Sequence, residues 1–164
     1  MCRFLICFLG IISCLSVFGC SNSFSNQDEK VAGIDFSLNT LAGETITLSE
    51  LRGKKVFIDF FATWCPPCRT ELKEINEIVN EYKDKDVDFE ILCISVDDSE
   101  QTVKRFMDAK GYNMKVLFDN KNIAGKYGVR GIPALFLIDE KGNLVWKRSG
   151  VMRKSEILEL LGAE

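Results

Sequence analysis

The run Val56-Phe57-Ile58-Asp59-Phe60-Phe61 is apolar at every position but one, and only Ala62-Thr63 separate it from Trp64-Cys65-Pro66-Pro67-Cys68. A strand apolar on both faces belongs in the middle of a sheet covered on both sides, so the run calls for a layered α/β domain. Pro66 suits the first position of a helix, where an amide hydrogen would be unpaired anyway and the fixed φ already fits. A helix from Pro66 to about Lys83 follows, with positions 71, 75, 78 and 82 in one row along it. The two cysteines thus stand where a buried strand meets a helix.

The remainder of the chain alternates strand-like and helix-like segments, without repeats or low-complexity runs. Ile34 to Leu38 and Thr45 to Leu48 flank an Ala42-Gly43 turn as an N-terminal hairpin, and Ser49-Glu50-Leu51-Arg52 is a turn of helix ended by Gly53. Phe89 to Val96 reads as a second buried strand, Ser99 caps a helix that Gly111 ends, and Lys115 to Phe118 is a third strand. Asn122 to Tyr127 makes a short helix. Ala134 to Asp139 and Leu144 to Lys147 flank the hairpin signal Glu140-Lys141-Gly142-Asn143, and Lys154 to Leu161 is a last helix with apolar positions 157, 158, 160 and 161. One α/β domain over residues 34–164 accounts for all of these elements.

The seven cysteines sort by place. Cys2, Cys7, Cys14 and Cys20 fall in a segment where Arg3 precedes the uncharged apolar stretch Phe4 to Phe18, and Gly19-Cys20 and a polar stretch follow it. That length fits a secretory signal peptide, residues 1–19, and is short for a spanning helix. Val17-Phe18-Gly19-Cys20 resembles a bacterial lipobox, which implies lipidation of Cys20 and a tether over residues 20–33. Plain secretion and an uncleaved anchor are the other readings. All three export the domain to the extracytoplasmic side of a bacterial envelope, and the lipid reading ties it to a membrane.

The chain contains no histidine, which removes Ser-His-Asp and Cys-His nucleophile pairs and His-containing metal sites. A formal charge of −3 and the lack of a basic stripe set nucleic acid aside as a partner. Zinc at Cys65 and Cys68 would need further ligands, and only Cys93 remains outside the N-terminal segment, so no metal is expected. A structural disulfide across two residues closes too small a loop to stabilise much. Redox chemistry is the reading left. Cys65 at the N-cap faces unpaired helix amides and the positive end of the dipole, which favours its thiolate, and Cys68 one turn on can close the ring. Cys65 is the expected nucleophile and Cys68 the resolving thiol.

Without imidazole, proton handling falls to carboxylates, lysine or water, and two carboxylates stand close to the pair in the sequence. Asp59 interrupts the buried run, and burial raises a carboxyl pKa toward the working range; alternation alone leaves open whether it faces the interior or solvent. Glu71 lies one turn beyond Cys68 in line with Ile75, Ile78 and Tyr82 on the core-facing stripe, the alternative being a first-turn glutamate favoured only by the helix dipole. Trp64 either shields the pair and meets partners or packs in the interior. Cys93 reads as an inert buried thiol, with a third redox role as the alternative. Asp97-Asp98 read as loop and cap residues, and Trp146 as core.

Phe57 to Cys68, followed much later by Gly131-Ile132-Pro133 before an apolar strand, resembles the thioredoxin superfamily, specifically the exported TlpA/ResA-like thiol–disulfide oxidoreductases with an AhpC/TSA-redoxin type domain. The resemblance spans roughly residues 33–162. It implies a thioredoxin-like α/β fold: a central mixed sheet flanked by helices, with an N-terminal β-hairpin and a helix–strand insertion from Ser99 to Phe118. It also implies a cis Ile132-Pro133 bond beside the disulfide. Substrate binding would fall to Trp64, Pro66, Ile132 and Pro133, and acid–base work to Asp59, behind the resolving sulfur, and Glu71. Protein thiol or disulfide substrates such as apocytochrome c, a transmembrane thiol electron donor and no cofactor complete the expectation, with reduction the expected direction.

Three competing functions have their own signatures. A thiol peroxidase carries Pro-x-x-x-Thr-x-x-Cys, and here Ile58 and Ala62 occupy the corresponding positions, with Thr63 out of register. A copper-delivery module uses a wider cysteine spacing and a histidine. A non-catalytic envelope lipoprotein would keep the fold without turnover.

Overall fold

A computed structural model describes residues 31–97 and 99–163. The expected signal peptide, Cys20, residues 20–30 of the expected tether and Asp98 lie outside the described residues. Among the described residues, no helix is long and apolar enough to cross a membrane.

Strand β4, Lys55–Phe61, is the apolar run of the sequence, and it lies in the middle of a six-stranded mixed sheet. It pairs in parallel with β5, Phe89–Ser95, and antiparallel with β7, Ala134–Ile138. The sheet is completed by β6 (Val116–Phe118) beyond β5, and by β8 (Asn143–Ser149) and β1 (Val31–Ala32) beyond β7, in the order β1-β8-β7-β4-β5-β6. A separate hairpin pairs β2, Ser37–Asn39, with β3, Thr45–Thr47.

Alternation along β4 divides the core in two. Phe57 and Phe61 pack with helices α1 (Pro66–Tyr82), α2 (Glu100–Lys110) and α4 (Lys154–Leu161) through Ile75, Ile78, Val103, Met107 and Ile157. Val56, Ile58 and Phe60 face the other way, onto Phe36 and Leu38 from the hairpin region, Leu48 of a 3₁₀ turn and Ile123 of the short helix α3, Ile123–Lys126. The expected hairpin and helix–strand insertion are thus both present, α2 and β6 forming the insertion.

Four details differ from the sequence reading. Residues 31 and 32, read as tether, pair with Leu144 and Asn143 of β8, and Gly33 donates its N–H to Gly142 O at 2.9 Å. A two-residue strand has no hydrophobic alternation to betray it. β2 starts at Ser37 rather than Ile34 because Asp35 Oδ1 accepts the amides of Phe36 (3.0 Å) and Ser49 (2.9 Å) and pulls that backbone out of the ladder. β8 runs on to Ser149 through Lys147 and Arg148, whose polar side chains hide the strand from a hydrophobicity argument. Trp146 is half-buried at the border of the core rather than inside it.

Phe60 is fully buried and meets Phe136 edge-on at 5.6 Å and Tyr127 at 5.7 Å. Phe60→Ala should therefore lower unfolding stability by about 3–5 kcal/mol, read from urea denaturation followed by circular dichroism.

Candidate active site

The β4–α1 junction determines where the cysteines sit. Cys65 is the N-cap of α1, with extended backbone at φ −87° and ψ 110°. Pro66 and Pro67 fill the first two helical positions and offer no amide hydrogen. The next amide, that of Cys68, donates to Cys65 Sγ at 3.2 Å. The two sulfurs are joined as a disulfide, with Cα atoms 5.3 Å apart. Both residues are buried while Pro66 and Pro67 are exposed, and Trp64 stands 63% exposed beside the pair, which excludes the core reading of that residue. Across from the disulfide, the Ile132-Pro133 peptide bond is cis, and Ile132 O lies 3.9 Å from Cys65 Sγ. Pro133 is buried and Ile132 half-buried.

The loop leading into Trp64 is held by a residue read from the sequence only as loop. Asp97 is buried, and its carboxylate accepts the Thr63 amide at 2.8 Å, the Thr63 hydroxyl at 2.6 Å and the Ser95 hydroxyl at 2.8 Å. Arg69 Nε donates to Thr63 O at 2.6 Å, so both backbone polar groups of Thr63 are engaged. The β4–β5 pairing brings these groups together, Phe61 lying opposite Ser95 and Val96 donating to Phe61 O at 2.9 Å. The one available signal was the Ser95-Val96-Asp97 step, two polar residues on one side at the end of a buried strand.

Beneath the disulfide lie the two carboxyl groups. Asp59 shares its strand face with Phe57 and Phe61 and therefore points under α1, between Cys93 of β5 and Leu135 of β7. The solvent-facing alternative is excluded: Asp59 is completely buried, and neither carboxyl oxygen has a hydrogen-bond partner. Glu71 is also fully buried on the stripe with Ile75, Ile78 and Tyr82; Oε1 accepts the Met152 amide at 2.8 Å, and Oε2 is unpartnered. Burial pushes the Glu71 carboxyl up to about 7, against the lowering effects of the Met152 amide and the Arg148 charge. Burial, and then the nearby Glu71, hold Asp59 well above the usual aspartate range. Cys93 is a free buried thiol whose sulfur lies 3.5 Å from Met114 Sδ, and burial followed by Asp59 and Glu71 raise its pKa as well. Among the described residues, no group of three His, Cys, Asp or Glu side chains is placed to hold a metal ion.

This arrangement offers a thiol–disulfide couple with proton-holding groups behind it and an open face in front. The AhpC/TSA family model matches residues 30–147. The chain belongs to that family. ResA, a thiol-disulfide oxidoreductase of Halalkalibacterium halodurans, is 36% identical over 151 residues, covering 88% of this chain and 85% of ResA. The thioredoxin-like protein YneN of Bacillus subtilis is 35% identical over 147 residues, covering 85% and 86%. Among solved structures, the exposed lipoprotein thioredoxin Etrx1 of Streptococcus pneumoniae superposes with a TM-score of 0.69 at 34% identity, over 79% of this chain and 98% of that one. The fold is thioredoxin-like, and the chain is a thiol–disulfide oxidoreductase.

Two outcomes follow from this geometry. Asp97→Ala strands the Thr63 amide and hydroxyl and the Ser95 hydroxyl in a buried site, and should cost about 3 kcal/mol in urea denaturation and slow exchange with hydroxyethyl disulfide. For Glu71, the folded chain retains up to about pH 7 a proton that the unfolded chain gives up near 4.5. Stability of the disulfide form should therefore fall as pH rises through that window and then level off, by on the order of 3 kcal/mol. Asp59 adds a fall of the same sign. Urea midpoints at pH 5 and pH 8 test this: the wild type should be weaker at pH 8, with the gap narrowed in Glu71→Gln.

Proposed function

We propose that this protein is a membrane-anchored reductase of disulfides in bacterial envelope proteins, of the kind that serves cytochrome c maturation. The observation that carries this reading is the Cys65–Cys68 couple at a helix N-terminus, with Asp59 and Glu71 buried behind it and the Ile132 carbonyl beside it. Its likeness to ResA and to a lipoprotein thioredoxin supports the extracytoplasmic placement. The apolar stretch before Gly19-Cys20 supports removal of residues 1–19 as a signal peptide and lipidation of Cys20.

In the reduced enzyme the Cys65 thiolate attacks one sulfur of a partner disulfide, forming a mixed disulfide and expelling the other partner sulfur as a thiolate that takes up a proton. Trp64, Pro66 and Ile132 form the surface that receives the partner chain, with the buried Pro133 backing Ile132. Cys68 then loses its proton to a buried carboxylate and attacks Cys65 Sγ. That step closes the Cys65–Cys68 bond and releases the second partner thiol. A transmembrane thiol donor returns two electrons and two protons to the couple.

Glu71 suits the role of outer proton acceptor, since its pKa of about 7 lets it exchange protons at ambient pH. Asp59, deeper and held well above its usual range by burial and by Glu71, suits the role of a proton reserve behind it. With no histidine in the chain, the acid–base work at this couple falls to these two carboxyls.

Insulin reduction is the direct check. Cys65→Ser should abolish it, and Cys68→Ser should trap the mixed disulfide; full activity in Cys65→Ser would sink the mechanism. Resolution of the mixed disulfide should accelerate as pH rises through about 7. Glu71→Gln should slow that step about 10²-fold at neutral pH and remove the inflection near 7.

A further inference from the structure

β8 is paired along its inner edge by β7, but β1 covers only Asn143 and Leu144 of its outer edge. The Gly150 amide donates to Pro133 O at 3.0 Å, and the antiparallel alternation continuing from there puts Arg148 and Trp146 in bonding pairs with Leu135 and Leu137. The amide and carbonyl groups of Lys147 and Ser149 therefore face outward, on a stretch of edge that no described strand covers. The side chains of these two residues share a face with their β7 partners Phe136 and Ala134. With Tyr127 and Arg130 they line a groove of about 310 Å³.

The charge in this groove opposes that of the chain. The whole chain is acidic, yet no carboxylate lines the groove, and among the described residues neither Arg130 nor Lys147 has an ion-pair partner. Arg148 is engaged elsewhere, its guanidinium 3.2 Å from Glu156 Oε1. An edge carrying lysine and arginine repels a second copy of itself, as charged edge strands generally do. The strand such an edge accepts is one of opposite charge.

The Ala134 and Ser149 end of the groove approaches the Ile132-Pro133 turn beside Cys65. Ala134 and Ser149 lie beside Pro133, whose neighbour Ile132 is in reach of Cys65 Sγ. Lys147, opposite Phe136, is three residues farther along β7, about 10 Å at the rise of an extended chain. A polypeptide whose cysteine meets Cys65 can therefore lay the residues flanking that cysteine along β8.

We propose that the outer edge of β8, with Arg130 and Lys147, docks an extended acidic segment flanking the reactive cysteine of the protein partner, by strand addition to Lys147–Ser149. Backbone pairing would supply affinity without regard to sequence, and the two cations would select acidic flanks and speed encounter. This rests on the exchange reaction proposed above and adds its substrate class.

The test uses the reduced full-length protein and two peptides with the same cystine loop, one with a Glu-Thr repeat flanking it and the other with Gln-Thr. The ratio of their kcat/KM values should favour the acidic peptide by roughly tenfold at low salt and shrink as salt screens the groove. In the double variant Arg130→Glu, Lys147→Glu the ratio should fall to one or invert. Hydrogen exchange provides a readout independent of turnover: a cysteine-free acidic peptide should slow the amides of Lys147 and Ser149. Equal kcat/KM for the two peptides, a preference that survives the double variant, or unchanged amide exchange would each overturn the docking proposal. So would exchange protection already present in the free protein and lost on replacing Asp28 and Glu29 by Gln, which would assign the edge to the chain's own residues 26–30. Binding to phosphatidylglycerol vesicles that the double variant abolishes, without discrimination between the peptides, would assign the groove to anionic headgroups instead. Failure to reduce either peptide, together with normal protection by the cysteine-free peptide, would overturn the exchange reaction while leaving the docking groove supported.

Discussion

Pairing of β4 on both edges is the constraint from which the rest of the molecule follows. The parallel register with β5 and the antiparallel register with β7 leave this strand no freedom to slip, since a shift of one residue would turn Phe57, Asp59 and Phe61 toward α3 and Val56, Ile58 and Phe60 toward α1. The same register puts Asp59 under the disulfide, carries the chain through Thr63 into the N-cap of α1, and brings Ser95 and Asp97 level with the loop they hold. Fold and reactive site depend on a single set of strand contacts.

That arrangement buries two carboxyl groups away from water, with the Arg148 charge only partly offsetting the burial of Glu71. Three of their four oxygens lack a hydrogen-bond partner, and the fourth takes one backbone amide. Ionising either group in such a place is unfavourable, and ionising both is more so because each raises the other's proton affinity. The cost falls on stability at high pH, and the benefit is a proton acceptor poised near neutrality beside a thiol couple. Loss of local stability in exchange for a tuned pKa is common where a chain does chemistry.

Much of this was legible in the sequence. Val56 to Phe61 announced a central strand, Pro66 the start of α1, Ser99 and Gly111 the two ends of α2, and Lys154 to Leu161 the last helix, because each rests on local rules of capping and periodicity. Glu71 was legible too, since helical spacing alone aligns it with Ile75 and Ile78. What escaped was set by pairing between distant segments. β1 and the end of β8 are strands only because a partner lies beside them, and Asp97 is a loop residue until β5 draws it against Thr63. Trp146 looked like core by its chemistry, but it sits near the edge of the sheet, where only half of it is covered.

By itself, the sequence determined the class of chemistry. A Cys-Pro-Pro-Cys pair at a strand–helix junction, in a chain without histidine, leaves thiols and carboxyls as its reactive groups, and local rules suffice to see this. Only the tertiary structure decided which way Asp59 points, that Glu71 shares its buried space, that Trp64 stands in solvent, and that among the described residues no strand covers the basic stretch of the β8 edge. Side-chain direction on a strand and the environment of a carboxyl both depend on what packs opposite. In this molecule, the packing comes from segments up to about a hundred residues away along the chain, beyond the reach of any local rule.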